Sequence, residues 1–316
     1  MISLNDIRLA RAVIGDRLFR TPMLPQPGLG DLAGVTLALK AELFQRTGSF
    51  KARGVLNKLA GLGPEERVRG VIGASAGNHA VALAFGASLE GIAATVVMPL
   101  NAPASKVAAA RAYGAEVIQV GDTSIEMMRD YERLVVLRGQ TPVHPFADPL
   151  VMAGQGTLAL EILEDMPDLD AVLVGIGGGG LIGGVATAIK ELAPRVRVVG
   201  VEPEGAPGMS RALAAGKVVR LNAVDTIAGG LAPPFVSDLG LAVAQRFVDD
   251  VVLVSDQEIQ EAMVLMLEQA KLVAEPSGAA ALAALLAGRG GIRSSARVAV
   301  VVSGGNIDRA RLKSLL

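Results

Sequence analysis

The stretch "AVLVGIGGGGLIGGVATAI", residues 171–189, carries no charged side chain and is long enough to cross a bilayer. Its glycines argue against that reading. Gly177, Gly178, Gly179 and Gly180 form an unbroken run, and each glycine inside a helix costs roughly 1 kcal/mol relative to alanine. A loop at that depth in hydrocarbon would leave backbone N–H and C=O groups without partners. The pattern reads instead as a strand, AVLVGIG, a glycine loop, and a helix over 181–193. Such a loop presents unobstructed backbone N–H groups at a helix N-terminus, where the helix dipole also favours a phosphate. Gly175, Gly177 and Gly180 also satisfy G-x-G-x-x-G, and Glu202 ends the next strand, so a nicotinamide dinucleotide site is the rival reading. No Lys-Ser/Thr pair follows the glycines, which removes the P-loop.

Outward from this unit the same alternation fills most of the chain. Toward the N-terminus come GVIGA (70–74), a helix over 78–89, AATVVMP (93–99), a helix over 104–113, AEVIQV (115–120), a helix over 124–138 and PVHPF (142–146). A helix over 153–165 precedes the glycine unit, and VRVVGVE (196–202) and a helix over 206–215 follow it. The tail adds VDDVVLVS (248–255), helices over 256–271 and 278–287, and ARVAVVVSGG (296–305). Strands separated by helices pair in parallel through right-handed crossovers, with helices on both faces. The expected fold is α/β, with two doubly wound parallel-sheet domains and a cleft between them. Ligands in such sheets sit beyond the carboxyl ends of the strands, so strand-to-helix turns carry the chemistry.

A chain of 316 residues is long enough for two moderate domains. Hydrophobic residues make up 51%, and 30 Lys+Arg nearly cancel 31 Asp+Glu, which points away from a nucleic-acid binder and from disorder. The absence of cysteine removes disulfides, thiolate nucleophiles and thiolate metal sites, and two histidines, His79 and His144, are too few for the usual zinc sites. The N-terminus, MISLNDIRLARAVIGDRL, is charged throughout and lacks the apolar core of a secretory signal, so a cytoplasmic protein without a membrane partner is expected.

Three further turns matter. GVIGA leads into Ser75-Ala76-Gly77-Asn78-His79 and a helix, which places free N–H donors beside a hydroxyl and an amide, a combination suited to a carboxylate. A capped helix is the plainer reading of the same residues. The last strand ends in Ser303-Gly304-Gly305-Asn306, a small polar residue at a third strand end. Finally "QRTGSFKARG" (45–54) sets Lys51 behind a Thr-Gly turn. A phosphate cup without a Walker lysine, a carboxylate cup and a lysine in a shaped turn are the parts that pyridoxal phosphate chemistry requires.

Together, RTGSFKARG, SAGNH, GGGGL and SGGN, in this order, resemble the serine/threonine dehydratase group of fold-type II pyridoxal-phosphate enzymes, which includes serine racemase. The resemblance extends through AGQGT (153–157), VEPEGAPGM (201–209), TIAGGLAP (226–233), DDVVLVSDQEI (249–259) and EPSGA (275–279). It implies a large cofactor-binding domain from residues 1–52 and 146–316, with an inserted small substrate-binding domain over 53–145. It implies pyridoxal 5'-phosphate linked to Lys51 as a Schiff base, with Phe50 against the ring, Asn78 at the phenolic oxygen and Gly177, Gly178, Gly179, Gly180 and Leu181 around the phosphate. It likewise implies Gly230 beside the cofactor, Ser303 at the pyridine nitrogen, and Ser75, Ala76, Gly77, Asn78 and His79 around the substrate carboxylate.

The activity so implied is β-elimination of L-threonine or L-serine to a 2-oxo acid and ammonia, with the freed Lys51 amine removing the α-proton. Alternatives are threo-3-hydroxyaspartate ammonia-lyase activity, racemase-like activity, and the nicotinamide dehydrogenase. A serine at the ring nitrogen cannot keep it protonated as an aspartate would, which favours prompt loss of a β-leaving group. The racemase has a serine where this chain has Ala76, so efficient racemisation is not expected. A family cation site, divalent or monovalent, would draw on Glu202 and the carbonyl of Ala206, but Gly208 replaces an aspartate, and losing a carboxylate weakens a hard-cation site. Gly229 replaces the aspartate of the family's usual TIADG. The chain stops at Leu316, so the regulatory extension of biosynthetic threonine dehydratases is not expected, and a homodimer or homotetramer is.

Overall fold

The structure, a computed structural model, describes residues 1–122 and 124–316. Its strands are β1 (Met23–Pro25), β2 (Thr36–Ala41), β3 (Val71–Ala74), β4 (Ala94–Met98), β5 (Glu116–Gln119), β6 (Thr141–Pro142), β7 (Ala171–Gly175), β8 (Arg197–Pro203), β9 (Asp250–Val254) and β10 (Arg297–Val302). They form a six-stranded sheet, β1-β2-β10-β7-β8-β9, and a four-stranded sheet, β5-β4-β3-β6. All neighbours pair in parallel except β1 and β2, which run antiparallel. The expectation of parallel sheets therefore needs one correction, at an edge. β1 is three residues long and ends in Pro25, and a proline is accommodated where no ladder N–H is required.

The 171–189 stretch resolves into β7, a glycine turn and the Gly180–Leu192 helix. β7 is buried along its whole length, as is β10 beyond its first residue, and both are almost wholly Val, Ala and Leu, as strands covered on two faces must be. One face of the large sheet packs through Val172, Val174, Ala299 and Val301 against the Leu4–Ile14, Pro149–Asp165 and Gly180–Leu192 helices. The other packs through Leu173, Val298 and Val300 against the Asp256–Leu265 and Pro276–Leu286 helices. A separate core of Val55, Leu83, Val96 and Met98 supports the small sheet. Among the described residues, no helix is long and apolar enough to cross a membrane.

Other expectations shift locally. Of PVHPF only Pro142, with Thr141 before it, is in register with β3, because the chain turns at His144, whose Nδ1 accepts from the amides of Phe146 and Ala147. The helix over 256–271 ends as an α-helix at Leu265. A π-turn over Met266–Ala270 follows, and Lys271, at φ +59°, closes it in the left-handed region. β2 had no counterpart in the sequence reading, because Lys40 interrupts its apolar pattern although the residue is fully buried.

Candidate active site

The ends of β3, β7 and β10 converge with the turn that carries Lys51. That lysine opens the Lys51–Ala60 helix, which has no side-chain cap. Its turn is tied to the last strand: the Phe50 amide donates to the Ser303 carbonyl at 3.1 Å, and Ser49 bridges to Gly304. Gly48 sits at φ +70°, and a side chain there would strike the Asn306 amide, 2.2 Å from the Cβ position. Lys51 Nζ donates to the Pro145 carbonyl at 2.9 Å and lies 5.0 Å from the Phe50 ring centre. Burial pulls its pKa down to about 8, against the opposing charge of Glu275. This amine is therefore neutral in an appreciable fraction of molecules near physiological pH.

Within the Ser75–His79 loop, Ser75 Oγ accepts from the Gly77 amide at 3.0 Å, and Asn78 begins the Asn78–Glu90 helix. His79 Nε2 lies 2.8 Å from the Val143 carbonyl, which assigns its proton to Nε2. Burial, then Lys51, push its pKa down to about 3, so the ring stays neutral. Its Nδ1 is buried without a hydrogen-bond partner. His144 is likewise neutral, its pKa pushed to about 4 by burial and then by Lys51.

Asn78 reaches across to the large sheet. Its Nδ2 donates to Glu275 Oε1 at 2.5 Å, and its Oδ1 accepts from Asn306 Nδ2 at 3.0 Å, while Asn306 also donates to the Thr47 carbonyl at 2.7 Å. Glu275 is 7% exposed, and burial raises its pKa against the pull of Lys106 and Asn78. Lys106 Nζ stands 3.7 Å from Glu275 Oε2. The sequence reading assigned no role to Glu275, Lys106, Asn306 or Pro145. Glu275 announced itself only as the first residue of EPSGA, where it reads equally as the residue ahead of a proline-started helix.

The glycine run admits no side chain. A Cβ on Gly178 would fall 2.2 Å from the Phe146 ring, one on Gly180 would meet Phe146 Cα at 3.0 Å, and one on Gly177 would meet the Gly230 carbonyl at 3.0 Å. Gly179 is at φ +93°. The first helical bond runs from the Gly183 amide to the Gly179 carbonyl, so the amides of Gly180, Leu181 and Ile182 have no helical acceptor. The Gly230 amide donates to Ser277 Oγ at 2.8 Å, and buried Ser303 Oγ donates to the Ser277 carbonyl at 3.3 Å. Cup, serine and lysine turn are thus linked by one chain of contacts, from Gly177 to Gly230, Ser277, Ser303 and Phe50. Ala76 carries no polar side chain.

Glu202 lies apart from this group. Its carboxylate accepts from the amides of Met209 and Ser210, at 2.6 and 2.9 Å, and from Ser210 Oγ at 2.8 Å, capping the Gly208–Ala215 helix. Burial raises its pKa against these bonds. The Ala206 carbonyl accepts from the Gly208 amide. Among the described residues there is no group of three or more His, Cys, Asp or Glu placed to hold a metal ion. The nicotinamide reading required Glu202 to face a ribose, and a carboxylate spent as a helix cap does not.

The family model described as "Pyridoxal-phosphate dependent enzyme" matches residues 14–304. An L-threonine ammonia-lyase of Thermotoga maritima is 45% identical over 308 residues, covering 98% of this chain and 76% of the relative. The catabolic L-threonine dehydratase of Escherichia coli K12 is 40% identical, covering 99% and 96%. Among solved structures, maize serine racemase superposes with a TM-score of 0.94 at 39% identity, covering 99% of this chain and 96% of that one.

Proposed function

The chain belongs to the pyridoxal-phosphate dependent enzymes, and from that premise we propose that it dehydrates a small β-hydroxy amino acid, L-threonine or L-serine, to a 2-oxo acid and ammonia. The observation that carries the reading is the convergence of an amine at a pKa of about 8, a side-chain-free cradle of amides, and Asn78 and Ser303 from separate strand ends. The residues fit the cofactor. A Cβ on the glycine run would collide with Phe146, Gly230 or Gly240, so the turn keeps its amides bare, and Thr47 Oγ1 and Ser49 Oγ beside the lysine are buried hydroxyls without partners.

In this reading the amides of residues 177–181 hold the phosphate, Lys51 is the covalent tether, Phe50 and Gly230 border the ring, Asn78 serves the phenolic oxygen and Ser303 the ring nitrogen. When bound, the cofactor supplies an electron sink for the pair left at the substrate α-carbon. The loop Ser75–His79 orients the substrate carboxylate through its amides and Ser75. Lys51 Nζ, depressed by burial, takes the α-proton as a neutral amine at near-neutral pH. Ser303, an uncharged hydroxyl, would meet the ring nitrogen without supplying a charge to hold a proton there, as suits a cofactor used for loss of a β-hydroxyl. One water leaves from the β-carbon, and one returns when the amino group is hydrolysed off as ammonia. Neutral His79 and His144 add no competing charge.

Residues 1–52 and 146–316 form the cofactor-binding unit in this account and 53–145 the substrate-binding unit, supported by the membership of the two sheets. A cytoplasmic homodimer or homotetramer completes the proposal. Threo-3-hydroxyaspartate is the second candidate substrate, because Lys106 Nζ lies 3.8 Å from the Cβ position of Gly77 and offers the basic group a second carboxylate needs. The test is release of 2-oxo acid from L-threonine, L-serine, their D-forms and 3-hydroxyaspartate. The expected order places L-threonine or L-serine first. Release from none of them would overturn the proposal.

A further inference from the structure

A second polar cluster lies behind Lys51, and the reaction uses none of it. Arg53 and Lys40 are 1% and 0% exposed, Glu42 is 0% and Glu161 8%. The guanidinium of Arg53 spends all five N–H donors. Nε and Nη2 grip Glu42, both at 2.8 Å; Nη1 and Nη2 grip Glu161, at 2.6 and 3.0 Å; Nη1 also reaches Thr157 Oγ1 at 3.2 Å. Lys40 Nζ completes the charge balance, donating to Glu161 and to the Thr21 carbonyl, both at 2.6 Å. Desolvation is outweighed at both partners: Arg53 is held cationic and Glu42 well below its ordinary carboxylate range by their mutual pairing.

Stability alone is a poor reason for such a cluster, since well-packed apolar side chains of similar volume often serve as well or better than buried ion pairs. What the cluster fixes is a direction. Lys51 and Arg53 are two positions apart on one helix, about 200° around its axis, so when Arg53 is seated toward Glu42 and Glu161, Lys51 is turned toward Pro145. The helix start has no side-chain cap, and Phe50 ahead of it is already in the αR region. The Phe50 amide bond to Ser303 and the Gly54 amide bond to Gln155 Oε1, at 3.1 Å, hold the backbone of this first turn, and the two forks of Arg53 are the side-chain ties that fasten it both to the segment after β2 and to the Pro149–Asp165 helix. We infer that Arg53 is a positioning residue, which sets the Lys51 amine on the cofactor by locking the helix start through the Glu42 and Glu161 forks. The inference rests on Lys51 being the cofactor lysine.

The test compares Arg53→Lys, which keeps the charge but cannot reproduce two bidentate forks, with Lys40→Met, which damages the same cluster without touching the Lys51 helix. Melting temperature measures the structural damage. The rate at which cofactor-free protein captures pyridoxal phosphate, followed by absorbance as Nζ forms a C=N bond to the aldehyde carbon and releases one water, measures placement. At comparable loss of melting temperature, R53K should capture at least about tenfold more slowly than wild type, since misplacement by an ångström can cost far more than that, whereas K40M should stay within about twofold. Equal slowing in both variants, or capture by R53K at the wild-type rate, would overturn the inference. If R53K does not fold, Glu42→Gln replaces it, weakening one fork while keeping Arg53, with slower capture than K40M again expected and parity again overturning it. Wild-type protein that captures no cofactor would instead refute the role of Lys51, a separate and recognisable outcome.

Discussion

Lys51 should react as an amine whose pKa is about 8, and the consequence can be followed in protein stripped of cofactor. At pH 7 an ordinary lysine is neutral in about 0.03% of molecules, whereas one at about 8 is neutral in about 9%, roughly a 300-fold difference in nucleophile. The rate of pyridoxal phosphate capture should therefore rise tenfold per pH unit below about pH 7 and bend to a plateau above about pH 8. Burial is the larger cause and Glu275 opposes it, so Glu275→Gln should move the bend to lower pH. The same shift has a stability signature. The folded value lies below the unfolded one, so the unfolded chain binds more protons between about pH 8 and 10.5, and this group's penalty on folding is full below that window and relieved as pH rises through it. Cofactor-free Lys51→Met should accordingly melt higher than wild type at pH 7, by about 1–2 °C for each kcal/mol relieved. A capture rate still climbing tenfold per unit through pH 10 would refute the burial argument, because it would place the amine in water.

Three other outcomes are expected. Gly178→Ala puts a methyl 2.2 Å from the Phe146 ring, so overpacking should cost about 1–3 kcal/mol in a thermal melt and weaken cofactor binding in a titration. Gly229→Asp restores the aspartate of TIADG at a position where a Cβ meets nothing within 4 Å. Its melting temperature should stay close to wild type, with a stability change within about 0.5 kcal/mol. Glu202→Ala strips the acceptor from two backbone amides at the start of the Gly208–Ala215 helix, costing about 1–3 kcal/mol for each group left buried without a partner. Denaturant unfolding should show that loss, with turnover per folded molecule unchanged.

The fold was largely legible because buried parallel strands are written as short Val-rich runs and their crossovers as alanine-rich helices, each within a local window. Of the strand ends, GGGG was legible alone, as a composition that an ordinary turn does not need, whereas SAGNH read as a capped helix and SGGN as a turn until the motifs were taken together. What stayed hidden was long-range. Glu275 meets Asn78 from 197 residues away, and Lys51 finds Pro145 across 94. Lys40 made β2 look unlike a strand, because its partner Glu161 lies 121 residues further on in a helix. Arg53, read locally, was one more charge in RTGSFKARG. Charges that are buried in pairs disguise core positions as surface, and no local pattern undoes the disguise.

The measurement closest to the central claim is chemical trapping of the lysine. Protein loaded with pyridoxal phosphate is reduced with borohydride, digested, and its peptides are mapped by mass spectrometry, in parallel with Lys51→Ala. The account expects a stable phosphopyridoxyl adduct on Lys51 in wild type, with neither the adduct nor 2-oxo acid release in the variant. An adduct on another lysine, or turnover surviving in Lys51→Ala, would contradict it.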